Sequence, residues 1–139
     1  MIRILIAFSL LLSLSGCKKV KEKILENQAM QFITIGQWKV VRFTEGPNDL
    51  SGDFLPYTFQ FRTNYSVDAI KNGTKDISGT WSGNEVNSVV TIHSSFPQAA
   101  SNPLPFLNGI FRITNPGFDF VEAAKTVNGV VSTLRMERI

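Results

Sequence analysis

From Gly36 to the C-terminus, the chain is a succession of short β-rich segments separated by turn residues. The clearest segment runs from Tyr57 to Arg62, where aromatic and polar side chains alternate as on a strand with one buried face. Asn72-Gly73 and Asn128-Gly129 are strong signals for two-residue hairpin turns. The pattern predicts strands at 36–44, 57–62, 65–70, 76–82, 88–93, 109–114, 117–124 and 130–139.

These eight segments are joined mostly by tight hairpins, which favours an all-β, eight-stranded, up-and-down antiparallel barrel at 34–139. Closure of the sheet removes its exposed edges, which would otherwise pair with other chains. A sandwich of the same strands is the alternative. A barrel of this size is either filled by its own side chains or holds one small ligand.

The first 16 residues have the pattern of an export signal. A positive start at Arg3 precedes an almost continuous apolar run that is shorter than the roughly 20 residues needed to span a bilayer. The segment 14–17, Leu-Ser-Gly-Cys, resembles the lipobox of bacterial lipoproteins, which implies cleavage before Cys17 and acylation of its sulfur and its amine. Cys17 is the only cysteine, so an intrachain disulfide is excluded. The alternative is an unmodified cysteine at an ordinary signal-peptide junction.

Residues 17–33 are predicted to form the lipidated N-terminus and a tether. Mostly apolar residues at three-to-four spacing favour a short amphipathic helix there; the spaced positions are Val20, Ile24, Leu25, Gln28, Ala29 and Phe32, of which only Gln28 is polar.

The formal net charge of +3 does not belong to the barrel. Four lysines and two glutamates give the tether a charge of +2, Arg3 leaves with the leader, and nine basic residues balance nine acidic ones from Thr34 onward. This distribution does not indicate nucleic-acid binding, which needs a basic patch on the folded domain. The basic tether either lies against anionic lipid headgroups or is a solvated spacer.

Three strand motifs carry a family resemblance: Gly36-Gln37-Trp38, the segment 57–61 and the Gly-Thr-Trp-Ser segment 79–82. The first resembles the Gly-x-Trp opening of lipocalins, and the three together are similar to small lipocalin-like lipoproteins of Bacteroidetes-type bacteria. The resemblance implies an eight-stranded barrel on a lipid anchor, in which Trp38 packs against a basic side chain of the last strand. Arg138 shares a strand face with Leu134 and Met136, so Gly36, Trp38 and Arg138 are the expected closure of the barrel.

Several aromatic residues fall at alternating strand positions that predict inward-facing side chains: Phe59, Phe61, Trp81, Phe111, Phe118 and Phe120. They would either line a pocket for a fatty, sterol-like or aromatic molecule or fill a narrow barrel completely. The long connection 94–108 contains Phe96, Leu104, Phe106 and Leu107, and it is expected to be a lid, a plug or a protein-contact patch.

Motifs for chemistry are sparse. His93 is the only histidine, and a zinc site of the usual kind needs several His or Cys ligands. The sequence contains no Gly-x-Ser-x-Gly motif and no glycine-rich phosphate loop, so we expect neither an enzyme nor a cofactor.

The predicted function is therefore a membrane-anchored lipoprotein that binds a small hydrophobic ligand. The alternative is a non-enzymatic structural or interaction lipoprotein with a packed barrel that contacts an envelope protein. Lys18 after the acylated cysteine, by resemblance to known sorting patterns, and the lack of an acidic tract favour the periplasmic face of the outer membrane.

Overall fold

The computed structural model describes Gln28 and residues 30–139. Gln28 and residues 30–33 are helical, at the end of the predicted amphipathic segment. The predicted leader 1–16, Cys17 and the rest of the tether lie outside the described residues. Within the described part, no helix is long and apolar enough to cross a membrane.

The remainder of the described chain contains nine strands and two short 3₁₀ helices, joined by turns and loops. Their bounds are β1 (Trp38–Glu45), β2 (Asn48–Asp49), η1 (Ser51–Phe54), β3 (Tyr57–Phe61), β4 (Ser66–Lys71), β5 (Thr74–Val86), β6 (Val89–Ser95), η2 (Leu104–Leu107), β7 (Gly109–Pro116), β8 (Phe120–Val127) and β9 (Val130–Arg138).

The sheet closes on itself. Its order is β2-β1-β3-β4-β5-β6-β7-β8-β9, every neighbouring pair is antiparallel, and β1 pairs with β9 from Trp38↔Arg138 to Glu45↔Ser132. Strand β2 is a two-residue extension that pairs only with the end of β1. The other eight strands form an up-and-down barrel, which confirms the predicted fold and excludes the sandwich.

The hairpin turns follow the sequence signals where asparagine and glycine occur together. Asn72 and Gly73 have φ values of 50° and 81°, and Asn128 and Gly129 have 52° and 78°, as a two-residue turn with two left-handed residues requires. Asn87 and Ser88 are also both left-handed, although neither is a glycine, and they form the turn between β5 and β6. Strand β5 continues to Val86, beyond its predicted end at residue 82.

The two ends of the barrel differ. We call the end where β1 begins the N-terminal end, and the opposite end the far end. The helical residues 30–33, the turns 87–88 and 117–119 and the C-terminus lie at the N-terminal end. The loops 46–56 and 96–108 and the turns 72–73 and 128–129 lie at the far end.

Candidate ligand-binding cavity

The barrel interior is not filled. It contains a cavity of about 750 Å³ that is bounded almost entirely by apolar side chains. This volume lies within the range of roughly 300–1,000 Å³ that is usual for small-molecule sites. The wall residues, from seven of the eight barrel strands, are Trp38, Phe59, Phe61, Val67, Val90, Ile92, Phe111, Ile113, Val121, Ala123, Leu134 and Met136.

At the far end, the long connection 94–108 closes the cavity as a plug, which we define as Phe96, Leu104 and Leu107. These side chains are 4%, 0% and 6% exposed, and Phe96 and Leu107 form the floor of the cavity. Of the three expected roles for this loop, the structure therefore shows a plug. Phe54 of η1, also fully buried, packs 5.2 Å from the ring of Phe43 at the same end.

Polar groups on the inner face of the barrel hold the plug in place. The Lys125 ammonium donates hydrogen bonds to the carbonyl oxygens of Phe106 and Asn108, at 2.7 and 2.6 Å. The Ser94 hydroxyl donates to the carbonyl of Leu107, and the Asn108 amide oxygen accepts the backbone N–H of Phe96 at 2.6 Å. Burial lowers the pKa of Lys125, and the charge of Glu45 partly offsets this.

Gly79 on β5 provides the space that the plug needs. A Cβ atom at this position would lie 2.5 Å from the carbonyl oxygen of Ser95 and 2.9 Å from the ring of Phe96. Any side chain at residue 79 would therefore displace the plug. This steric constraint explains why the Gly-Thr-Trp motif has a glycine at this position.

At the N-terminal end, the cavity opens between the helical residues and two hairpin turns. The lining there comes from Phe32, from Ser88 of the β5–β6 turn, from Pro116 at the end of β7, and from Gly117 and Phe118 of the β7–β8 turn. Phe118 is 76% exposed, so the cavity reaches solvent at this side chain. We call this opening the mouth.

Arg138 fixes the helical residues beside the mouth. Its guanidinium lies 4.9 Å from the ring of Trp38 and 4.6 Å from the ring of Phe32, and it donates a hydrogen bond of 2.8 Å to the Phe32 carbonyl. The Trp38 indole N–H donates to the Ile33 carbonyl at 2.9 Å. Gly36, with φ of 72°, adopts the left-handed conformation that favours glycine, and the Arg138 side chain passes 3.5 Å from its Cβ position. The predicted cation–π contact is thus present, although it lies beside the mouth.

The predicted aromatic residues are not all on the cavity wall. Phe59, Phe61 and Phe111 are buried and line the cavity. Trp81 is 3% exposed, but it packs behind Phe61, at 5.7 Å between ring centroids, and donates its indole N–H to the Arg62 carbonyl.

On β8 the expected inward face is offset by one residue, although Phe118 and Phe120 both line the cavity at its mouth. Phe118 precedes the strand, and Phe120 lies at its start with the Arg135 guanidinium 4.2 Å from its ring. Pairing with β9 sets this register, because Val121 and Ala123 lie opposite Met136 and Leu134, which face inward. Val121 and Ala123 are the cavity residues that the sequence reasoning missed on this strand.

Few polar groups approach the cavity: Ser94 deep inside, and Gln28, Ser88 and Thr114 near the mouth. Glu85, opposite Val90 on the inner face, is only 8% exposed. Its Oε1 accepts the backbone N–H of Ser88 at 2.8 Å, whereas its Oε2 has no hydrogen-bond partner among the described residues. The arrangement suits a largely apolar ligand with a small polar group.

Two other titratable residues, His93 and Asp68, lie on the outer face of the barrel, away from the cavity. His93 is exposed on the outer face of β6, opposite Ser82 and Ile110. Asp68 is buried on the outer face, where hydrogen bonds from Ser78 and Arg62 lower the pKa of its carboxyl. In the part of the chain that the structure describes, no group of three or more His, Cys, Asp or Glu residues could hold a metal ion.

No family model, curated protein or solved structure matches this chain. The functional argument therefore depends on the barrel and on the chemistry of its cavity.

Proposed function

We propose that this protein is a lipocalin-like lipoprotein, anchored to a membrane through acylated Cys17, whose barrel binds a small hydrophobic molecule. The observation that best supports ligand binding is the cavity of about 750 Å³, with apolar walls, a closed floor and an open mouth. Burial of apolar surface gives roughly 25 cal/mol per Å², so such walls favour a fatty, sterol-like or aromatic ligand over a polar one. A completely packed barrel, the basis of the alternative as a purely structural lipoprotein, is less well supported by this interior.

The anchor is supported by the segment 14–17 and by the apolar leader before it. Two or more acyl chains on Cys17 make membrane attachment stable where one chain would give only marginal binding. The outer membrane, periplasmic face, remains the proposed location.

A pair of adjacent substitutions tests the cavity as the binding site. Ala123→Phe places a phenyl ring on the cavity wall, whereas Ala124→Phe places the same ring on the outer face of the same strand. We expect the protein to bind N-phenyl-1-naphthylamine with enhanced fluorescence and to release it when oleate or a sterol is added. Ala123→Phe should weaken binding at least about tenfold, equivalent to about 1.4 kcal/mol, and Ala124→Phe should leave binding unchanged.

Equal binding by both folded variants would place the probe outside the barrel and contradict the proposal. Circular dichroism of both variants establishes that each retains the β-barrel spectrum. Absence of binding in the unsubstituted protein, for this probe and for a panel of fatty acids and sterols, would contradict the ligand-binding function itself.

A further inference from the structure

Exposed apolar side chains lie at the two hairpin turns beside the mouth of the cavity, whereas the exposed Leu55, Val127 and Val130 lie at the far end, away from the opening. Val86 and Val89 flank the β5–β6 turn, whose Ser88 lines the mouth, and Phe118 lies in the β7–β8 turn. These three residues, which we call the rim, are 56%, 42% and 76% exposed. A bulky exposed aromatic at the opening of an apolar cavity is costly in water and is typical of a surface that meets another apolar phase.

Charge distinguishes the two ends of the barrel. The turn residues between β5 and β6 are uncharged, and Asp119 is the only acidic residue in the β7–β8 turn. Arg138 and Arg62, which forms a salt bridge with Asp68, lie at the same end, together with Glu137. At the far end, Asp49 and Asp53 lie in the segment between β1 and β3, whereas Glu45 and Asp76 lie in strands, and the same end also carries Lys71, Lys75 and Lys125. The segments between strands are therefore more acidic at the far end, and an anionic surface is better accommodated at the N-terminal end.

The N-terminal chain joins the barrel beside the mouth, where Phe32 is part of the lining. Ten residues lie between Cys17 and Gln28. In the helix that the sequence predicts for this segment, the steps from Cys17 to Gln28 span about 16 Å, and an eight-residue strand such as β1 is about 26 Å long. An anchor at Cys17 therefore keeps the mouth, more than the far end, near the bilayer.

We propose that the N-terminal end of the barrel rests on an anionic phospholipid bilayer, with the rim inserted among the lipid headgroups. The cavity then takes up its hydrophobic ligand directly from that bilayer, and the ligand need not cross water. This inference depends on the proposed function for the anchor and for the class of ligand.

Site-specific labels test the orientation in the mature, acylated chain. Acylation blocks the sulfur of Cys17, the only cysteine, so Phe118→Cys or Val86→Cys supplies the one free thiol for the environment-sensitive fluorophore NBD. Leu55→Cys is the matched control, because Leu55 is 82% exposed at the far end. Vesicles of phosphatidylethanolamine and phosphatidylglycerol should raise NBD emission several-fold at residues 118 and 86, with a blue shift, and should barely change it at residue 55.

Equal responses at both ends, or no response at residues 118 and 86, would overturn the membrane orientation. The ligand is tested separately by the rate at which an anthroyloxy-labelled stearate moves from the protein to acceptor vesicles. The rate should rise in proportion to vesicle concentration, because transfer occurs on contact, and Phe118→Asp should slow it several-fold while Leu55→Asp does not. A rate independent of vesicle concentration would contradict uptake from the bilayer.

The two proposals fail in different experiments. Fatty-acid binding in solution with silent labels at residues 118 and 86 would refute the docking and leave the binding function intact. A clear response at these labels, with no fatty-acid or sterol binding, would refute the ligand and leave the docked orientation intact.

Discussion

Replacing Arg138 by alanine tests whether the N-terminal end is held together as the structure indicates. The substitution removes a charge-assisted hydrogen bond to the Phe32 carbonyl and cation–π contacts with the rings of Trp38 and Phe32. A hydrogen bond to a charged group contributes about 1.5–3 kcal/mol, and a partly buried cation–π contact about 1 kcal/mol. The Arg138 Nε, which is buried without a partner among the described residues, lowers this total.

We therefore expect Arg138→Ala to reduce the free energy of unfolding by about 2–3 kcal/mol. For a domain of this size, about 4 °C is lost per kcal/mol, so Tm should fall by about 10 °C. Urea unfolding followed by circular dichroism measures the change. The slope of the unfolding free energy against urea concentration should stay unchanged if only stability is affected. Hydrogen exchange of the Thr34 amide, which bonds to the Met30 carbonyl, should accelerate because the helical residues lose their attachment.

Arg112→Ala is the matched control, because Arg112 is exposed on β7 and its removal should change stability by no more than about 0.5 kcal/mol. If Arg138→Ala costs no more than Arg112→Ala, then the contacts of Arg138 with Phe32 and Trp38 do not stabilise the barrel. That result would refute the reasoning.

Three further perturbations test the plug and the outer face. Gly79→Ala should destabilise the protein by about 2 kcal/mol through the clash with Ser95 and Phe96, whereas Gly83→Ala, nearest a flexible Ile92 methyl at 3.5 Å, should be almost neutral in thermal unfolding. Lys125→Met should make the loop 96–108 sensitive to limited proteolysis, because two loop carbonyls lose their hydrogen-bond donor. Lys39→Met, at an exposed position, should not. Equal cleavage of the two variants would contradict a role of Lys125 in holding the plug. Hydrogen bonds to the Asp68 carboxylate lower its pKa in the folded protein below the ordinary value near 3.9. The ionised carboxylate therefore stabilises the folded state fully above about pH 5, and this contribution is lost as the pH falls through the folded-state pKa. Asp68→Asn should therefore show a shallower loss of stability below pH 5 than Asp53→Asn, and an identical acid profile would refute this assignment.

The sequence contains most of the information on the fold. Strict alternation at Tyr57, Phe59 and Phe61 sets one inward face, and each asparagine–glycine pair sets a hairpin, so strand number and order follow from local patterns. The β7–β8 region was less predictable. A register shift lies between Ile113 and Asn115, and apolar residues occupy both faces at Phe120 and Val121. Either face of β8 could therefore point inward, and only pairing with β9 decides between them.

The cavity itself was not predictable from the sequence. Large apolar side chains at inward positions describe a packed interior and a ligand site equally well, because the difference depends on the diameter of the barrel and the depth of the plug. The sequence also did not indicate at which end of the barrel the cavity opens. The close contact between Gly79 and Phe96, which seats the plug at the far end, involves residues from different segments of the chain.

Native mass spectrometry of the gently purified mature chain tests the central claim most directly. The account predicts a stoichiometric added mass that disappears on organic extraction, and rebinding of that extract by the unsubstituted protein and by Ala124→Phe but not by Ala123→Phe. A mass that equals the polypeptide alone, together with no uptake of fatty acids, sterols or aromatic probes by the unsubstituted protein, would contradict a ligand-binding barrel.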